Sequence, residues 1–115
     1  MLHHVTRQIR PATLDRCVAF YALLGFEQVP VPAGIAGRAT WLERAGTQIH
    51  LMPSDDAVSE QGHVAVVVDD YDATLERLAS ERYEVEPRPQ HWGSPRSYVR
   101  DPAGNLVELM AKPPG

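Results

Sequence analysis

Residues 45–52 read AGTQIHLM and residues 103–110 read AGNLVELM, an offset of 58 positions. Ala, Gly, Leu and Met match identically, Ile faces Val, and Thr faces Asn. One large chemical difference is His50 opposite Glu108. A second match lies near the start of each half. HHVTRQIR at 3–10 aligns with GHVAVVVD at 62–69, pairing His4-Val5 with His63-Val64 at an offset of 59. A drift of one residue between the two offsets is what a change in loop length produces. The chain is therefore read as a duplication. Two halves of this size are each too short to bury a stable core alone, so they are expected to share one.

Both halves predict the same order of elements. A strand rich in Val and Ile comes first, at Leu2–Ile9 and at Gly62–Val68. A helix follows. Pro11 suits the opening turn of the first, Leu14, Val18, Tyr21 and Leu24 recur at helical spacing, and Gly25 ends it. Asp70 can cap the second, whose apolar positions are Ala73, Leu75 and Leu78. Three strands close each half: Glu27–Pro30, Ala39–Glu43 and Thr47–Met52, then Tyr83–Glu86, Ser97–Arg100 and Asn105–Met110. DPAG at 101–104 is a hairpin turn, with Pro fixing one torsion and Gly supplying positive φ. The fold class is α+β, two β-α-β-β-β modules in a single domain over 1–115. Module 1 covers 1–52, a polar linker 53–61, and module 2 covers 62–111.

Composition narrows the function. The chain has 115 residues, 43% hydrophobic and 23% charged, as in an ordinary globular protein. Its net charge is −4 and its pI about 5.7, with no basic run or stripe, so no nucleic-acid partner is expected. Cys17 is the only cysteine, which excludes an internal disulfide and suits a reducing compartment. No secretory leader pattern and no apolar window of the ~18 residues needed for a membrane span is present. A cytoplasmic protein with no membrane partner is expected.

Strand parity then points to a site. In TQIHLM, Gln48, His50 and Met52 share one face, and Ile49 and Leu51 the other. In NLVELM, Leu106, Glu108 and Met110 oppose Val107 and Leu109. The Ile, Val and Leu faces suit packing on helices, which turns His50 and Glu108 the other way. On the first strands His4, Thr6 and Gln8 share a face, and so do His63, Ala65 and Val67; His3 has the wrong parity. His4, His50, His63 and Glu108 thus occupy two pairs of repeat-equivalent positions. Three imidazoles and one carboxylate form a ligand set for Zn, Ni, Fe, Co or Mn. The plainer alternatives are satisfied or solvated strand histidines and a salt-bridged Glu108, because an unpaired buried carboxylate is costly.

Taken in order, LHHVT, FYALLGFE, TQIHLM, GHVAVVVDD, DPAGN and VELM resemble the vicinal oxygen chelate superfamily, over about Leu2 to Ala111. That family includes glyoxalase I, extradiol dioxygenases and bleomycin-resistance proteins. The resemblance implies a curved mixed sheet with a divalent metal ion at the floor of its cavity. It places the metal ligands at His4, His50, His63 and Glu108. The fourth-strand position is often Glu or Gln in glyoxalase-like members, so His50 makes the metal site more positive and removes one candidate base. The implied function is that of a lyase or isomerase acting on a small vicinal-oxygen substrate, with Glu108 as catalytic base and Thr6, Gln8 and Tyr98 as hydrogen-bonding groups. The alternatives are a ring-cleaving dioxygenase, and a non-catalytic drug-binding protein in which Trp41, Trp92 and Tyr98 supply stacking surface. Small members of the family commonly form homodimers. HVT and Tyr98 also resemble fosfomycin-modifying members, a weaker match because LMAKPPG after Glu108 is not their basic extension. His91 reads either as a proton shuttle or as a surface loop residue.

Overall fold

In this computed structural model, all residues except Ala57, Ser59 and Gly115 are described, and they fall into two compact units, Met1–Val58 and Ser59–Gly115. The expected linker at 53–61 contains Ala57 and Ser59, which lie outside the described residues.

The first unit runs β1 (His4–Ile9), α1 (Leu14–Leu23), β2 (Glu27–Val29), β3 (Thr40–Arg44) and β4 (Thr47–Pro53). Its sheet has the order β1-β4-β3-β2, with β1 parallel to β4 and the other pairs antiparallel. Pro11 opens a separate 3-10 turn, Pro11–Thr13, and the α-helix begins after it. Cys17, Phe20, Tyr21 and Leu24 are buried along α1, while Leu14 and Val18 are half-buried, so the buried stripe is rotated from the expected one. Two positive-φ residues, Ala45 (51°) and Gly46 (84°), make the tight β3–β4 turn.

Gly25 ends α1 at φ 93°, with its amide donating to Ala22 O and that of Phe26 to Tyr21 O, both at 3.0 Å. An added Cβ there would lie 3.1 Å from Arg44 Nε. Gly25→Ala is therefore expected to cost about 1–3 kcal/mol from the torsion, read as a lower urea midpoint at unchanged slope.

The second unit runs β5 (His63–Val67), α2 (Tyr71–Ser80), β6 (Glu86–Arg88), β7 (Arg96–Arg100) and β8 (Leu106–Met110). Its sheet order, β5-β8-β7-β6, reproduces that of the first unit strand for strand. Asp70 caps α2, its carboxylate accepting from Ala73 N at 3.0 Å. In the β7–β8 turn Asp101 Oδ1 accepts from the amides of Ala103 and Asn105, each at 2.9 Å.

The repeat extends to register. β1 pairs with β4 as His4↔Gln48 and Thr6↔His50; β5 pairs with β8 as His63↔Leu106 and Ala65↔Glu108. β3 puts Trp41 opposite His50, and β7 puts Tyr98 opposite Glu108. The two expected classes of residue on β4 and β8 are both buried: Ile49, Leu51, Val107 and Leu109 at 0–2% exposed, His50 and Glu108 at 6% and 7%.

Most strand boundaries differ from expectation by a residue or more. β1 begins at His4, two residues late, and β7 at Arg96, one residue early. The strand expected at Tyr83–Glu86 lies at Glu86–Arg88. The cause is the end of α2, where Arg82 takes φ 68° and the Tyr83 amide donates to Leu78 O at 3.0 Å, which removes it from the ladder.

Candidate functional site

Each unit gathers two of the four expected ligand residues. In the first, His50 is the centre of an aromatic stack. Its ring lies parallel to Trp41 at 4.1 Å and 4°, and on His4 at 3.9 Å and 13°. The in-plane edge is also engaged. His50 Nε2 lies 2.7 Å from Gln48 Oε1, and Gln48 Nε2 donates to Glu43 Oε1 at 3.0 Å. Since the Gln48 amide nitrogen faces Glu43, its oxygen accepts from His50. The proton of His50 is thereby placed on Nε2, and Nδ1 carries the lone pair. Burial holds the His50 imidazole below the usual histidine range, and charge on the His4 and His3 rings adds to that.

His3 corrects its expected placement. Its Nδ1 lies 3.0 Å from His4 Nδ1 and its ring is edge-on to His50 at 6.3 Å. Strand parity did not apply to it, because β1 starts one residue later. Thr6 and Gln8 are exposed on the same face of β1 as His4, opposite His50 and Met52 in register.

In the second unit the carboxylate of Glu108 is held from two sides. Oε1 lies 3.2 Å from His63 Nε2, and Oε2 accepts from Arg96 Nε at 2.9 Å. His63 Nδ1 is 3.0 Å from the Gln61 carbonyl, which can only accept, so Nδ1 carries a proton. Arg96 is buried at 9% exposed, donates also to Pro89 O at 2.9 Å and to Tyr98 Oη at 3.4 Å, and lies 6.0 Å from the Trp92 ring centroid. The hydrogen bond to Glu108 is the main cause of its raised pKa.

Tyr98, half-buried, has its ring 5.5 Å from that of His63 and 4.9 Å from the Arg88 guanidinium. It lines a cavity of about 710 Å³ with His63, Arg88, Arg100, Glu84, Glu86 and Glu60 among others. That size suits a small molecule. Trp92 is half-buried, its indole N–H donating to Lys112 O at 3.1 Å; its ring meets Arg96. His91 is exposed in the same loop.

Among the described residues, no group of three or more His, Cys, Asp or Glu side chains is gathered to hold a metal ion. None of their helices is long and apolar enough to cross a membrane. Arg96, Glu43 and the engagement of Gln48 were not foreseen. For Gln48 the available signal was its shared parity with His50; for Arg96 there was none, because it stood outside the expected strand.

Comparison with known proteins agrees with the fold. A glyoxalase family protein from Bacillus anthracis is 26% identical, over 96% of this chain and 93% of its own, with a TM-score of 0.85. A lactoylglutathione lyase from Agrobacterium tumefaciens is 26% identical, over 96% and 92%, with a TM-score of 0.73. The fosfomycin resistance protein FosX from Listeria monocytogenes, 23% identical over 98% and 93% with a TM-score of 0.79, shares the fold. No curated protein matches. The model of one family covers residues 1–109, and with the duplicated β-α-β-β-β units it settles the lineage: the chain belongs to the Glyoxalase/Bleomycin resistance protein/Dioxygenase superfamily.

Proposed function

We propose that this protein is a divalent-metal-dependent lyase or isomerase acting on a small molecule with two neighbouring oxygen atoms. Its metal ligands in this reading are His4, His50, His63 and Glu108, donor types that fit Zn, Ni, Fe, Co or Mn.

One observation carries the reading. With Nδ1 protonated toward Gln61, the Nε2 of His63 faces Glu108 Oε1 at 3.2 Å. Two lone pairs so placed repel unless a cation lies between them, either a proton or a metal ion. The spacing is also close to that of adjacent ligands each about 2.1 Å from one ion. This pair therefore fits a metal in donor type and in separation.

What a divalent ion supplies there is Lewis-acid stabilisation of negative charge developing on substrate oxygens. The remaining work belongs to the chain. Arg96 fixes Oε2 of Glu108 and leaves Oε1 to ligate or to take a proton. The Glu43–Gln48 relay fixes the tautomer of His50, as outer-shell partners of ligating histidines do. Tyr98, Thr6 and Gln8 offer hydrogen bonds to substrate, and Trp41 and Trp92 offer aromatic surface. A homodimer in the cytoplasm is the proposed setting.

The test is titration of metal-stripped protein with Zn, Ni and Co, repeated on His4→Ala and His63→Ala, with the hemithioacetal of methylglyoxal and glutathione as first substrate. We expect tight uptake by the wild type and at least about tenfold weaker uptake by each variant. No uptake by the wild type at millimolar metal would end this reading. The cavity of the second unit supports a second one, non-catalytic capture of a small molecule; a planar drug bound by metal-free wild type, with no turnover, would favour it.

A further inference from the structure

We propose that Arg96 is a built-in counter-cation for Glu108, neutralising the carboxylate when no divalent ion is bound and weakening the site's hold on one that is. This rests on the ligand role proposed above for Glu108.

Glu108 lies at the middle of β8, whose five residues are all buried. A carboxylate in such a place needs a charge partner. Arg96 supplies it from the adjacent strand, two residues along from Tyr98, which stands opposite Glu108. The guanidinium is not free to leave easily. Pro89 O and Tyr98 Oη accept from its two other nitrogens, and the Trp92 and Tyr98 rings lie near it.

The internal repeat supports the pairing of roles. Trp41 opposite His50 corresponds to Tyr98 opposite Glu108, so the position matching Arg96 in the first unit is Ala39. At this matching position the repeat has alanine where the central donor is the imidazole of His50, and arginine where it is the carboxylate of Glu108. The charge follows the carboxylate.

The consequence for a metal is electrostatic. With Arg96 on Oε2, an ion on Oε1 shares one carboxylate with a second positive charge a few ångströms away. Repulsion at that range lowers affinity by roughly tenfold or more. A residue that only held Glu108 in place would act in the opposite sense, since its loss would loosen the ligand.

The experiment compares wild type, Arg96→Met, Arg96→Gln and Arg96→Lys. Zn and Ni affinities are measured by competition with a chromophoric chelator, and melting temperatures are taken with and without metal. Arg96→Met is expected to bind at least about tenfold more tightly, to melt lower than wild type when metal-free, and to regain more on adding metal. Arg96→Gln, which keeps a donor but not the charge, should show the same gain in affinity if the Met variant fails to fold. Arg96→Lys should stay near wild type in both. Unchanged or weaker binding in the neutral variants, with wild-type binding intact, would overturn the counter-cation role and leave Glu108 a ligand. No binding by wild type or variants at millimolar metal would instead remove the ligand role itself, and this inference with it.

Discussion

Replacing Glu108 with alanine is expected to weaken Zn or Ni binding by at least about 100-fold, because loss of an outer partner alone costs about 10–100-fold and Glu108 is the only anionic donor in the proposed set. The same change should lower the melting temperature of the metal-free protein, since Arg96 would stay buried with its carboxylate partner gone. Glu108→Gln separates the two effects. Its amide oxygen can still accept from Arg96 and its volume is unchanged, so it should keep most of the stability and lose most of the metal affinity. Isothermal titration and differential scanning calorimetry on the three proteins read both quantities. Equal metal affinity in wild type and Glu108→Ala would show that this carboxylate does not ligate.

Phe20→Ala is expected to have the largest effect on stability. Phe20 is 0% exposed on α1 and meets the Tyr21 ring edge-on at 5.0 Å, with Tyr21 in turn edge-on to Phe26 at 6.4 Å. Removing a buried phenyl costs about 3–5 kcal/mol in transfer and cavity terms together. Against a total stability of about 5–15 kcal/mol for a domain, that is a large share. Phe20→Leu fills much of the same volume and should cost less. Urea denaturation followed by circular dichroism would show the order wild type, Leu, Ala in falling midpoint. An Ala midpoint equal to that of wild type would mean that this ring carries no part of the core.

The residues that made the fold readable were those repeated in both halves. AGTQIHLM and AGNLVELM predicted matching closing strands, and the matching registers of His4↔Gln48 and His63↔Leu106 follow from that identity. The structure brings His50 against His4 and Glu108 against His63, all four being residues that strand parity had singled out, because a pleated strand alternates faces whatever the residue. Boundaries were less legible. Where α2 ends depends on which carbonyl takes the Tyr83 amide, a contact rather than a pattern.

By itself, then, the sequence determined the duplicated α+β plan, the order of elements and the identity of four candidate donors, because hydrophobic period and repetition are local properties of the chain. Only the tertiary structure decided what those donors touch. It put Trp41 and His4 on the two faces of His50, and Arg96 on the far oxygen of Glu108. Buried charge pairs and stacked rings are settled by which side chains meet across neighbouring strands. Such partners leave no periodic trace in either strand, so no reading along the chain could have supplied them.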